Sequence, residues 1–168
     1  NTFVIQPVDD AAYDVAAGSA FTVTIPANGL GVANGNNSGE GSLRQAITNA
    51  NTFSSNDTIS VNTAVTLSAS LPNIINNGTL TLNSTGGSIS GNDVARILTV
   101  NNGATLSVNN LTITDGFASS GGALYNMGTV TLNNVDVLNS DGTDGDGGAI
   151  FNAGTLTLTN TSLISGNT

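Results

Sequence analysis

The side chains best placed to do chemistry lie in one acidic stretch, SDGTDGDGG, from Ser140 to Gly148. Asp141, Asp144 and Asp146 are separated by small residues, and a hard cation needs several oxygens that a flexible chain can bring to one point. Asp115 precedes Asp141 by 141 − 115 = 26, and Asn167 follows it by 167 − 141 = 26. If those positions stack on successive turns of a coil, two carboxylates sit one ladder spacing apart, ~4.8 Å. They repel by about 1 kcal/mol in water, and a bound Ca²⁺ would reverse that sign. Asp115, Asp141, Asp144 and Asp146 are therefore the candidate metal ligands, and Ca²⁺ the candidate cofactor. The spacing fits neither an EF-hand nor a nine-residue calcium repeat. The plain alternative is a solvated Gly/Asp turn.

A second set of groups is hydroxylic. Thr79, Thr105, Thr129 and Thr155 recur at matching places, and so do Thr81, Ser107, Thr131 and Thr157. Stacked in a solenoid, these become two outward columns. Such a flat array can order water and bind ice, or contact a glycan or a neighbouring subunit. The alternative is that threonine simply favours strands and that its ladders bond to one another. Nucleophilic and acid–base chemistry has little to work with. The chain has no His, no Lys and no Cys, and its only bases are Arg44 and Arg96. Glycoside hydrolysis needs a carboxylic acid and a carboxylate across one bond, and a lyase-like arrangement would use Ca²⁺ carboxylates with Arg96, beside Asp93, as its base. An ordinary surface ion pair explains that neighbourhood equally well. No catalytic residue is assigned. Tyr125 and Phe151, 151 − 125 = 26 apart, read either as a stacked pair in the core or as a sugar platform.

What must position these groups is a repeat. GGALYNMGTVTLNNVDV (Gly121 to Val137) returns as GGAIFNAGTLTLTNTSL (Gly147 to Leu163), at a displacement of 147 − 121 = 26. Short apolar alternations at such a period mark a solenoid of stacked coils. Leu80/Leu82, Leu106/Val108, Val130/Leu132 and Leu156/Leu158 form one inward series, with the middle residue of each triplet outward. Leu98/Val100, Ala123/Tyr125 and Ala149/Phe151 read as a second; Leu111/Ile113, Val135/Val137 and Leu163 as a third. The fold class expected is all-β: a right-handed parallel β-helix of four to five three-strand coils, each of about 24–26 residues by this spacing, over residues 56–168. Turns are expected at Asn101–Gly103, Asn126–Gly128 and Asn152–Gly154, where Asn and Gly tolerate left-handed backbone. Asn110, Asn134 and Asn160 fall in register as an amide stack inside a turn. The shift changes from 25 at Gly103/Gly128 to 24 just beyond, which predicts a bulge.

Residues 1–55 read as a cap. Phe21, Val23 and Ile25 alternate as a strand ending at Pro26, and Gly29–Gly41 is a Gly/Asn loop. Ser42 and Gln45 form a capping box. Leu43, Ala46, Ile47 and Ala50 then make one amphipathic helical face, near residues 42–51, to cover the first coil. With 11 acidic residues against two bases the net charge is −9. That argues against nucleic acid and anionic membrane surfaces as partners. No apolar run approaches the ~20 residues of a membrane span.

The leader GSLRQAITNAN (Gly41 to Asn51), followed by NDTISV (Asn56 to Val61), resembles the SLREAI-type leader of secreted bacterial right-handed β-helix proteins. SGNDVARILTVNNGATLSVNNLTITDG and GGAIFNAGTLTLTNTSLISGNT resemble the body repeats of that group. The latter is also similar to the GGAI repeats of chlamydial polymorphic outer-membrane proteins, although Phe151 is followed by Asn152 where those repeats have F-x-x-N. Gly41 stands where many relatives carry a Cys. The resemblance, over Phe21 to Thr168, implies a secreted or surface-exposed protein of adhesin-like character and supplies no active site. The expected function is a non-enzymatic, extracellular structural or adhesive β-helix, the N-terminal part of a larger bacterial surface protein. Its partners would be a glycan, a surface polymer or another copy of itself. A polysaccharide-active lyase-like fragment and an ice- or glycan-binding module on the Thr columns are the alternatives.

Overall fold

The computed structural model describes residues 2–5, 21–24, 30–52, 55–75 and 77–168. Two strands near the start, β1 (Thr2–Ile5) and β2 (Phe21–Thr24), pair antiparallel with Thr2 opposite Thr24. β2 is the strand expected from Phe21 and Val23; Ile25 and Pro26 lie outside the described residues.

The helix follows as α1 (Leu43–Ala50). Ser42 is its N-cap, and its hydroxyl accepts from the Gln45 amide at 3.2 Å. The reciprocal half of the capping box is absent: the Gln45 side chain donates along the helix to Asn49 Oδ1 at 2.8 Å. Leu43, Ala46, Ile47 and Ala50 are all buried. They pack on the first coil strand, β3 (Asp57–Ser60), as a lid should. Arg44 fixes the lid by donating to the carbonyls of Asn37 (2.8 Å), Ala69 (2.7 Å) and Ser70 (2.7 Å).

From β3 onward the chain winds as a parallel β-solenoid of about four turns. The strands are β4 (Ala64–Thr66), β5 (Thr79–Asn83), β6 (Ser88–Ser90), β7 (Leu98–Val100), β8 (Thr105–Asn109) and β9 (Thr112–Thr114). They continue with β10 (Phe117–Ser120), β11 (Leu124–Asn126), β12 (Thr129–Asn133), β13 (Asp136–Leu138), β14 (Asp141–Asp146), β15 (Ile150–Asn152), β16 (Thr155–Thr159) and β17 (Leu163–Ser165). Two walls have five strands each, in the orders β3-β5-β8-β12-β16 and β4-β6-β9-β13-β17. A third holds β7-β11-β15, and a short fourth holds β10-β14. The two coils β7–β10 and β11–β14 thus carry a fourth short strand beside the expected three.

Strand alternation produces the core. Leu80, Leu82, Leu106, Val108, Val130 and Leu132 are buried in stacked positions, and so are Ile89, Ile113 and Val137 on the second wall. Removing such side chains from water stabilises the coil stack by about 1.5–3 kcal/mol each.

Three register expectations are corrected. On the third wall Leu124 pairs with Leu98 and Asn126 with Val100, a shift of 124 − 98 = 26. Tyr125 and Phe151 therefore point outward, and Leu124 and Asn126 point in. The change of shift is not a strand bulge. It arises at a corner that spans Asn101–Ala104 in one coil and only Met127–Gly128 in the next. At the last coil Leu163 pairs with Asp136, while Ile164 takes the register of Ile113 and Val137; both side chains are exposed there. The step there is 163 − 136 = 27, because the corner Asn160–Ser162 is one residue longer than Asn134–Val135.

The paired glycines have a steric cause. Gly121 and Gly147 adopt φ of +60° and +58°, in the left-handed region that favours glycine. A Cβ on Gly121 would also lie 2.4 Å from the Leu124 carbonyl oxygen.

Candidate functional site: the outer faces of the solenoid

The broadest outer face belongs to β3, β5, β8, β12 and β16. Thr79, Thr105, Thr129 and Thr155 lie in one column, as expected. Thr81, Ser107, Thr131 and Thr157 lie in the next, and Thr58 extends it by one coil. A third column was missed: Ser60, Asn83, Asn109, Asn133 and Thr159. Its signal is present in the sequence as the asparagine that ends TLTLN, TLSVN and TVTLN. The three columns contain no charged residue and no aromatic ring.

The columns differ in what their polar atoms do. In the third, Asn133 donates to Asn109 Oδ1 at 3.0 Å, and Thr159 donates to Asn133 Oδ1 at 3.2 Å. Among the described residues, no hydroxyl of Thr79, Thr81, Thr105, Ser107, Thr129, Thr131, Thr155 or Thr157 bonds to another protein group. The reason is geometric. Neighbours on a ladder stand ~4.8 Å apart, beyond hydrogen-bond reach for short side chains that rise straight from the sheet. The expected Thr–Thr bonding does not form. Thr129, Thr155 and Thr157 are exposed and the other five are half-buried.

Around the corner the opposite holds. Asp115 has φ +54°, and its two oxygens accept from Ser90 Oγ at 3.0 Å and Thr114 Oγ1 at 2.9 Å. Asp115 does not stack on Asp141. Leu138 lies beside Thr114, which places Asn139 (φ +47°) above Asp115. Asp141 pairs with Phe117, and its Oδ1 accepts from Thr168 at 3.0 Å. Asn167 sits above Ser140 instead, accepting from its amide at 2.8 Å and donating to the Val137 carbonyl at 3.1 Å.

Between Ala118/Gly142 and Ser120/Asp146 the register slips by two, (146 − 120) − (142 − 118) = 2. The extra length falls within Thr143–Gly145, so Asp144 is carried outward and is exposed. Among the described residues no three acidic, His or Cys side chains group closely enough to hold a metal ion.

Arg96 does not turn to Asp93. It donates to the carbonyls of Ser120 (2.8 Å) and Gly121 (3.2 Å), and its guanidinium lies 4.8 Å from the Tyr125 ring centre. Phe151 stacks on the same ring, with centres 4.6 Å apart and planes 12° from parallel. Arg96 comes from the coil below and Phe151 from the coil above, so both faces of Tyr125 are covered. The pair is stacked as expected, but on the outer surface, and Tyr125 has no open face to offer a sugar.

The amide stack also lies outside. Asn110, Asn134 and Asn160 all have φ between +54° and +56°, and Asn134 donates to Asn110 Oδ1 at 3.0 Å. Asn160 turns to Asn133 instead. The deeply buried amide is Asn126, which donates to Asn152 Oδ1 (2.7 Å) and the Thr155 carbonyl (3.0 Å) and accepts from the Gly128 amide (2.9 Å).

No family model, curated protein or solved structure matches this chain.

Proposed function

We propose that the protein is a non-enzymatic adhesive β-solenoid, exposed outside the cell, whose flat polar face makes many weak contacts with an extended uncharged surface such as a glycan or surface polymer. The observation that carries this reading is the pair of hydroxyl columns without protein partners. Each hydroxyl can donate once and accept twice. The register of β5, β8, β12 and β16 holds them on a fixed grid. Single contacts of this kind are weak, but repetition on a stiff support multiplies them. The absence of His, Lys and Cys from the sequence and the engagement of Arg96 by backbone carbonyls favour binding over catalysis. The likeness of the Gly41–Asn51 leader to those of secreted bacterial β-helix proteins supports an extracellular or cell-surface setting. Among the described residues no helix is long and apolar enough to cross a membrane.

The test is depletion from solution by insoluble neutral polysaccharides, cellulose and chitin being the probes, compared with an anionic polymer. The expected result is depletion by a neutral surface that weakens in Thr131→Lys while the melting midpoint is kept. Equal depletion of parent and variant would show that the face plays no part. Release of unsaturated product from an acidic polysaccharide with Ca²⁺ present would replace this reading with the lyase one.

A further inference from the structure

We infer that the extended surface this face fits is crystalline water: the two hydroxyl columns form an ice-contacting lattice. The inference rests on the adhesive reading above and names its partner.

Three observations lead to it. The first is two-dimensional regularity. Thr79–Thr105–Thr129–Thr155 and Thr81–Ser107–Thr131–Thr157 are paired residue for residue, with no register slip along these strands. Rows are therefore spaced by the ~4.8 Å ladder in one direction and by two strand residues, ~6.7 Å, in the other. A crystal can match a repeating grid over its whole area; a flexible chain can match it only locally.

The second is chemical composition. The face has no charge, and a charge would hold its own hydration shell against the order of a crystal. Seven of the eight positions are Thr. Each Thr presents a hydroxyl that can take a water site beside a methyl that does not compete for one. Threonine is also stiff at χ1, so little rotamer freedom is lost on contact. The columns carry no ring that would favour one sugar over any other flat surface; among the described residues the stacked rings Tyr125 and Phe151 belong to another wall.

The third is that the hydroxyls are unpartnered while Asn109, Asn133 and Thr159, which flank them on the later coils, are not. The Asn109–Asn133–Thr159 column is bonded to itself. It borders the hydroxyl columns with a self-satisfied strip and leaves them as the part of the face that still needs hydrogen-bond partners.

The experiment measures partition of the purified protein into slowly growing ice, with thermal hysteresis as the second readout. The parent is compared with Thr131→Lys and Ser107→Lys in the centre of the face. Thr112→Lys, on the outer side of β9, is the control. The parent and Thr112→Lys should enter the ice. The two central variants should be about tenfold depleted from it, since an array that loses its central row loses the contacts that act together. Melting midpoints verify that all four proteins are folded. A parent excluded like an inert solute overturns the inference, as does a folded Thr131→Lys that enters ice as well as the parent. Cellulose and chitin depletion of the same samples separates the two readings. Exclusion from ice with polymer binding retained sinks only the ice lattice; loss of both sinks the adhesive reading with it.

Discussion

The outer face of β5, β8 and β12 and the corner at Asp115 are built from the same coils, yet they treat polar groups in opposite ways. On the face, six hydroxyls, and two more on the adjoining β16, find no protein partner among the described residues. At the corner, Ser90 and Thr114 both donate to one carboxylate. The difference follows from backbone shape. A straight parallel strand keeps side chains perpendicular and a full ladder spacing apart, so short polar groups cannot reach each other. A corner in the left-handed region turns side chains back along the chain, within reach of neighbours. The hydroxyl columns of the strand face are thereby left for outside partners, while the longer asparagines at its edge and the corners tie coil to coil.

If that division is right, the most damaging polar substitution should lie where a strand enters a corner, as Asn126 does at the end of β11. Asn126 is fully buried and joins three groups. Asn126→Ala strands the buried Gly128 amide and removes a donor from the Thr155 carbonyl. A loss of about 2–4 kcal/mol is expected, read as the shift in urea midpoint. A loss below 0.5 kcal/mol, roughly the scatter of surface substitutions, would mean that the corner amides do not secure the coils.

Asp115 gives a smaller and more discriminating effect. Asp115→Ala leaves two half-exposed hydroxyls that water can serve, and places alanine in left-handed backbone. The sum should be about 1–2 kcal/mol. Asp115→Asn should be nearly silent, because an amide oxygen still accepts and Asn tolerates the same φ; Asn139 already stands in the equivalent place one coil above. Equal destabilisation by both variants would show that charge, not geometry, matters there.

The face should hardly respond at all. Thr131→Val keeps shape and removes a hydroxyl with no protein partner, so the midpoint should stay within about 0.5 kcal/mol of the parent. A larger loss would reveal a structural role for the columns and weaken the case that they await a ligand.

The solenoid and both Thr columns were readable in the sequence because burial on a strand has a period of two and the coils repeat. Ser42, Leu43, Ala46, Ile47 and Ala50 announced the lid for the same reason at helical period. What was misread lies where that signal fails. In GGALYN both Leu124 and Tyr125 are apolar, so hydropathy could not tell which faces in. The answer depended on the long corner Asn101–Ala104 shrinking to Met127–Gly128 in the next coil, a backbone choice without an apolar signature. The same ambiguity sent Leu163 inward when Ile164 holds that place. The acidic stretch was aligned by counting 26 from Asp115. The local shift is 141 − 117 = 24, and the extra length appears only past Gly142.

That misalignment bears on calcium, where the expected effect is smallest. A cation bound at 100 times its dissociation constant would stabilise the folded chain by about 2.7 kcal/mol. Stacked Asp115 and Asp141 would have been the reason to expect it, because their repulsion would vanish on binding. Instead Asp115 receives two hydroxyl donors and lies beneath Asn139, while Asp141 receives Thr168. Asp115 and Asp141 therefore do not stack on each other, and the like-charge contact that a cation would relieve between them is not formed. Melting in millimolar Ca²⁺ and in chelator should therefore give the same midpoint. A rise with Ca²⁺ that disappears in Asp144→Asn would show Asp141, Asp144 and Asp146 closing on an ion. The contrast between face and corner would then reverse, since the corner would be the part of the molecule that takes up a ligand.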